Sequence, residues 1–193
     1  MRGDLLTAWL VIGLAGSVGS AEAQSVSVEA GMGLAVPTGA VAERWGVGLD
    51  YGVGAALELT PRYAFYAGYS YTFFDLDFVD DLHAVDTGFA TGVRRSFPGS
   101  GRVVPWVRSG LLMHSLELQG ERTGDDGGLG FEVGGGIMIP HRHRRAVRAN
   151  LGVAYRRYDA RVLGPDRETV SHFSAGVSLA GVFSLARKTE AQR

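Results

Sequence analysis

The sequence predicts an all-β protein, an eight-stranded antiparallel up-and-down transmembrane β-barrel preceded by a cleavable signal peptide. Three observations lead to this prediction: an N-terminal segment typical of export, a repeated alternation of apolar and small residues, and connections that alternate between short and long. Glycine accounts for 29 of the 193 residues, and cysteine is absent. The chain therefore has neither a disulfide framework nor a thiolate metal site.

The N-terminal segment has the features of an export signal. An apolar run from Leu5 to Val18 is too short to span a bilayer as a helix. Ala21 and Ala23 form the A-x-A pattern that precedes a cleavage site. A buried N-terminal helix is the alternative interpretation. The predicted division of the chain is a signal peptide at 1–23, an outer-membrane barrel at 24–185 and a polar C-terminal tail at 186–193.

The alternation is clearest in residues 45–59, WGVGLDYGVGAALEL. A period of two is that of a β-strand. One face is apolar and the other is mostly glycine, which weakens a strand by leaving it no side chain to pack. Each alternating segment is as long as the roughly 9–11 residues that a tilted strand needs to cross a bilayer. The eight predicted strands are 25–36, 45–59, 63–73, 83–94, 102–118, 129–139, 146–156 and 169–183.

The phase of the strand at 102–118 is ambiguous. We favour Val107, Leu111 and Met113 facing outward, with Arg108 and His114 facing inward.

The two faces distinguish a membrane barrel from a soluble one. A lipocalin-like barrel points its apolar face inward and presents a charged face to water. Here the apolar face holds the bulky aromatic residues, while the opposite face is small and lysine occurs once in the whole chain. An interior filled by eight strands has little room, which explains small inward residues. A membrane barrel is therefore favoured over a soluble one.

With its signal, eight alternating strands and final aromatic-rich strand, the mature chain resembles the small eight-stranded outer-membrane barrels of Gram-negative bacteria, the OmpA- and OmpX-like group. The resemblance implies an outer-membrane location, contact with outer-membrane lipids and lipopolysaccharide, insertion by the barrel-assembly machinery, and a monomer. One feature departs from the group, whose members usually end on an aromatic residue that the assembly machinery reads. Here SLARKTEAQR follows Phe183, so recognition has to tolerate a tail or use Leu185.

The predicted inward face also carries charge, with acids and arginines in nearly equal numbers. Buried charges persist when they are paired and hydrogen-bonded, so we predict a network of salt bridges that fills the lumen. An ion pathway through shifting pairs is the functional alternative. The predicted members are Glu29, Asp50, Glu58, Asp86, Arg94, Arg108, Glu132, Arg148 and Arg156.

The predicted ends of the barrel differ in charge. The longer loops are mainly acidic, whereas the short turns and the tail are mainly basic. Solvation of the ends is the simpler explanation. The basic end also suits contact with anionic inner-leaflet headgroups. At the acidic end, hard oxygen ligands suggest a weak divalent-cation loop, which lacks the spacing of an EF-hand. Its candidate residues are Asp75, Asp77, Asp80 and Asp81.

Aromatic residues at both ends of the strands predict belts at the two membrane interfaces. The expected loop-side belt is Trp45, Tyr71, Phe73, Tyr155 and Phe173, and the expected turn-side belt is Tyr63 and Phe183.

One pattern suggests catalysis. Some eight-stranded barrels are lipid A deacylases with a His-x-Ser pair on a strand, and His172 and Ser174 have this spacing and share a face. Those enzymes also share an Asn after the serine and an acid about a dozen residues on. Here Ala175 follows, and no acid occurs between Ser174 and Glu190. The predicted phase also turns the pair into the lumen.

We therefore predict no catalytic residue, cofactor, resident metal or nucleic-acid partner. The expected role is structural or surface-interacting, within the cell envelope. The alternatives are a narrow porin-like channel for small solutes, a lipid A-modifying enzyme, or a soluble lipocalin-like binding barrel.

Overall fold

The computed structural model describes residues 25–75, 83–99, 103–118, 128–140, 146–161 and 167–185. Eight antiparallel strands form a closed barrel in which each strand pairs with its neighbours in the chain and the first pairs with the last. This confirms the predicted fold and strand order. The predicted signal peptide and the predicted C-terminal tail lie outside the described residues. The strands are β1 (Ser25–Thr38), β2 (Gly48–Glu58), β3 (Tyr63–Asp75), β4 (His83–Ser96), β5 (Val104–Leu118), β6 (Gly128–Pro140), β7 (Val147–Arg161) and β8 (Arg167–Ser184).

The two ends of the barrel are named here by their position. The turn end holds the start of β1, the end of β8 and the connections β2–β3, β4–β5 and β6–β7, and the loop end holds the other four connections. The difference in length between these connections is smaller than predicted. Because β7 continues to Arg161 and β8 begins at Arg167, only 162–166 joins them. Across the described ranges, no helix has the length and apolar character needed to cross a membrane.

Exposed apolar side chains occupy outward positions in the middle of every strand. Leu129, Leu111 and Leu179 expose 74%, 67% and 66% of their surface, and residues of the same parity on the other strands behave similarly. A soluble lipocalin-like barrel has the opposite arrangement, so the face chemistry excludes that alternative. Strand β5 has the favoured phase, with Met113 exposed and His114 buried.

The segment between β1 and β2 differs from the prediction. Strand β2 begins at Gly48 rather than at Trp45, and Trp45 is only 2% exposed. A 3₁₀ turn at Gly39–Val41 redirects the chain, and the Trp45 N–H donates to the Val41 carbonyl at 3.0 Å. Placing Trp45 in the lipid-facing aromatic belt was therefore wrong, because the two-residue period does not continue through this turn.

Replacing Val53 with arginine tests the position of the apolar band. Val53 lies at the middle of β2 and is 58% exposed. We expect Val53→Arg to lower the free energy of unfolding in lipid vesicles by about 2–4 kcal/mol, because it places a charge near the bilayer midplane. Leu49→Arg, on the same face but near the loop end, is the matched control and should cost at most about 1 kcal/mol. Equal losses in denaturant titrations of the two variants would contradict this placement.

Candidate functional site

The centre of the lumen is organised around Glu132, which is 1% exposed. Its Oε1 accepts a hydrogen bond from the Tyr66 hydroxyl at 3.0 Å. Its Oε2 accepts from Arg108 Nη2 at 3.1 Å and from Arg156 Nε at 3.0 Å. Strands β3, β5, β6 and β7 contribute these four side chains, so a single buried carboxylate joins half of the barrel wall.

Arg156 extends the central network to β2. Its Nη1 lies 3.2 Å from Asp50 Oδ1 and 3.3 Å from Oδ2, and the Thr72 hydroxyl donates to Oδ1 at 2.9 Å. The guanidinium therefore bridges two carboxylates, those of Asp50 and Glu132. Such charge-assisted contacts compensate the cost of burying these groups.

Nearer the turn end, the inward polar side chains form small separate groups rather than one network. Glu58 forms an ion pair with Arg148 and accepts a hydrogen bond from the Ser25 hydroxyl. Glu29 accepts a hydrogen bond from Asn150 Nδ2 at 3.0 Å.

Arg94 differs from the other predicted lumen arginines. It is 7% exposed, and it makes neither a hydrogen bond nor an ion pair with any residue in the described ranges. The charges of Glu29 and Glu58 attract it, whereas those of Arg148 and Arg108 repel it. The structure thus brings the predicted lumen residues into one interior and gives eight of the nine a direct polar partner.

Toward the loop end, the lumen holds a compact cluster of histidines around Asp86. His114 Nδ1 lies 2.7 Å from Asp86 Oδ1, and His172 Nδ1 lies 3.9 Å from Oδ2. Both histidines are 1% exposed, and the tilted Tyr158 ring packs against His114 with ring centroids 5.1 Å apart.

An apolar plug closes the loop end of the lumen. Val41 and Trp45 from the first loop enter the barrel and pack with inward side chains of six strands. The Trp45 and Phe74 rings lie 5.1 Å apart. An ion pair between Arg44 and Glu168 ties the same loop to β8. The plug consists of Ala35, Val41, Trp45, Phe74, Ala84, Leu116, Tyr158, Ala160 and Val170.

Several inward glycines make room for large inward side chains. A Cβ added at Gly152 would lie 2.7 Å from Trp106 Cζ2, and one at Gly110 would lie 2.5 Å from the Tyr66 hydroxyl. Since contacts below 3.0 Å require the neighbour to move, the glycine face complements a few bulky residues that cross the lumen.

Cavities remain in the described interior, among them a central one and one at the turn end. The central cavity, of about 160 Å³, is lined by polar groups that include Glu29, Tyr66 and Asn150. The second, of about 200 Å³, lies at the turn end beside Glu58 and Arg148. Arg94 lines both cavities and therefore stands between them.

The predicted aromatic-belt residues other than Trp45 lie on the outward face of the barrel. Tyr63, Tyr71, Phe173 and Phe183 are exposed on the outward face, whereas Phe73 and Tyr155 are half-buried there. Of the proposed cation-loop residues only Asp75 lies within the described ranges, where it contacts His83 Nδ1 at 3.0 Å; the others, Asp77, Asp80 and Asp81, fall outside them. In the part of the chain that the structure describes, no group of three or more His, Cys, Asp or Glu side chains is arranged to hold a metal ion.

Four large inward side chains were not among the predicted lumen residues. Tyr66, Trp106 and Tyr158 are 7%, 8% and 1% exposed, and Asn150 is 8% exposed. Their inward orientation could be predicted from the sequence, because each lies an even number of residues from an inward glycine of its strand and therefore shares its face. They were not predicted because the glycine-rich face was interpreted as uniformly small.

Glutamine at position 132 tests the central network. We expect Glu132→Gln to lower the free energy of unfolding by about 3 kcal/mol, because two buried arginines lose their shared counter-charge. Glu58→Gln breaks a partly exposed pair and is the control, with an expected loss of about 1 kcal/mol or less. Denaturant titration in detergent micelles measures both; a Glu132 variant no weaker than the Glu58 variant would contradict the central role.

A double-mutant cycle tests the glycine–aromatic complementarity. Gly152→Ala should destabilise the barrel by about 1–3 kcal/mol, because the added methyl group meets the Trp106 ring. In a Trp106→Leu background the same change should cost about 1 kcal/mol less. Strictly additive losses in unfolding experiments would show that the two positions are independent.

Solved structures share this fold at low sequence identity. Neisserial surface protein A matches 84% of this chain with 100% of its own, at a TM-score of 0.62 and 13% identity. The outer membrane protein OprG from Pseudomonas aeruginosa matches 84% with 97% of its own, at a TM-score of 0.55 and 10% identity. The outer membrane enzyme PagL matches 79% with 97% of its own, at a TM-score of 0.50 and 15% identity.

Sequence comparison adds no closer relative. No family model matches the chain, and no curated protein matches it significantly. The structural likeness, at these identities, concerns the fold. This chain has the fold of the small eight-stranded outer-membrane β-barrels, and its apolar outer band is the surface that this fold presents to outer-membrane lipid.

Proposed function

We propose that this protein is a non-catalytic, non-conducting barrel that serves a structural or surface-interacting role in the cell envelope. The observation that carries the proposal is the first loop, which folds into the barrel mouth and buries Val41 and Trp45 to 0% and 2% exposure. A loop held inside the mouth by packing and by the Arg44–Glu168 ion pair closes the lumen rather than lining a path.

The layers beneath the plug also argue against a channel. A hydrated ion that entered from the loop end would meet an apolar layer first, which disfavours its passage because the ion would lose its hydration. Deeper in the lumen, the ion would meet Arg156, which forms ion pairs with both Asp50 and Glu132. To pass, the ion would have to separate these pairs. An eight-stranded barrel is normally just filled by its side chains.

The positions of His172 and Ser174 argue against the deacylase-like alternative. The two side chains are 1% and 6% exposed and face the lumen, whereas a lipid ester would approach from the outer surface. The Ser174 hydroxyl and both His172 nitrogens make no hydrogen bond within the described part of the chain. A nucleophile needs a base within hydrogen-bond reach, and this pair does not provide one. The fold itself can host catalysis, since PagL is an enzyme, so the argument rests on these residues.

Conductance in a planar bilayer tests the closed lumen. We expect protein that shows the mobility shift of a folded barrel on gels to give no discrete current steps. Trp45→Ala serves as the comparison because it removes the largest first-loop side chain from the plug while leaving the central salt bridges in place. Frequent wild-type openings whose size changes in Arg156→Gln would overturn the non-conducting proposal.

A lipid assay tests the absence of catalysis separately. Incubation with lipid A and with phospholipids should release no fatty acid above the level seen with Ser174→Ala. Fatty-acid release by the wild type that disappears in that variant would overturn the non-catalytic proposal and restore the deacylase-like one.

A further inference from the structure

The turn-end cavity is a cationic vestibule. Its wall includes three arginines, Arg62, Arg94 and Arg148, against one acid, Glu58. Thr60, Pro61 and Arg62 at its rim are exposed residues of the β2–β3 turn, so the vestibule opens to solvent. Its volume of about 200 Å³ is enough for a small polyatomic ion together with water.

Glu58, the one acid among the described residues that line the vestibule, already has a cationic partner. Glu58 pairs with Arg148 and accepts a hydrogen bond from Ser25. Glu29, the other carboxylate near Arg94, lines the central cavity rather than the vestibule, and it is hydrogen-bonded to Asn150. The charge of Arg94 therefore lacks a direct counterpart among the described residues.

The burial of Arg94 without a hydrogen-bond partner at Nε is the observation that points to a ligand. Arg94 is 7% exposed, it lines the vestibule floor, and its Nε has no hydrogen-bond partner among the residues that the structure describes. Burying a guanidinium without a hydrogen-bonded anion costs stability, whereas every other predicted lumen arginine has a carboxylate in contact. Ala64, its register partner on β3, leaves space beside it.

We infer that the turn-end vestibule binds a phosphate-class oxyanion, with Arg94 as the buried anchor and Arg62 at the mouth. A guanidinium presents paired N–H donors that match two oxygens of a phosphate. The Thr60 hydroxyl oxygen accepts hydrogen bonds from the backbone N–H groups of Arg62 and Tyr63, which leaves its own O–H free to donate. A phosphate would accept hydrogen bonds from Arg62 and Arg94, the two vestibule arginines that contact no carboxylate among the described residues.

Titration calorimetry with inorganic phosphate tests the site, with the protein folded in a non-ionic detergent that contains no phosphate. We expect saturable binding to the wild type and a dissociation constant about tenfold larger or more for Arg94→Gln. Arg95→Gln is the matched control, because it removes the same charge one residue away, on the outward face where Arg95 packs over Tyr63 and Phe97. It should bind as the wild type does.

Two results would overturn the site: no saturable phosphate binding to the wild type, or equal losses for the Arg94 and Arg95 variants, which would indicate only general charge attraction. If Arg94→Gln shows no mobility shift on gels and is therefore unfolded, Arg62→Gln replaces it. That variant should also weaken phosphate binding, and unchanged affinity would contradict the proposal.

The source of the phosphate is distinguished by a second titrant. Monomeric dihexanoyl phosphatidic acid carries the same group as a lipid headgroup. Tighter binding than inorganic phosphate, lost in Arg94→Gln, assigns the vestibule to a headgroup that reaches in from the membrane interface. Weaker binding assigns it to free phosphate, and both results support an oxyanion site.

Discussion

Closure of the sheet is the constraint on which the other features depend. In lipid the backbone N–H and C=O groups have to be satisfied within the protein, and pairing of β1 with β8 leaves no free sheet edge. A ring of only eight strands, however, encloses a space that side chains nearly fill. Every inward position therefore competes for the same volume, and charge, aromatic bulk and glycine have to be distributed together.

That competition explains why glycine dominates one face. A uniformly small interior would leave an open tube, but Tyr66, Trp106 and Tyr158 reach across it. Glycines stand where their rings pass, as Gly152 does beside Trp106. One bulky side chain also stabilises a buried charge, since the Tyr66 hydroxyl donates a hydrogen bond to Glu132. Glycine in these strands thus provides the space that large side chains from other strands fill.

The sequence predicted the fold well because a period of two reports the face of every residue in a regular strand. It failed at Trp45, where a 3₁₀ turn interrupts the strand geometry and turns an apolar residue inward. It identified the lumen charges but not their partners, because some pairs form across the lumen between strands that are not neighbours in the sheet, such as Arg148 on β7 with Glu58 on β2. That Arg94 contacts no carboxylate among the described residues could not be predicted either, since the composition of the inward face indicated only a nearly neutral interior.

The two ends of the lumen are built differently, and this asymmetry bears on what the barrel does. At the loop end, apolar side chains fill the mouth and the first loop is tied to β8. At the turn end the described residues leave a cavity lined by three arginines. Packing for stability alone gives no reason to bury a guanidinium that has no carboxylate in contact among the described residues, because an apolar side chain would fill that space at lower cost. The cost at Arg94 is therefore better explained by recognition at the turn end than by the fold.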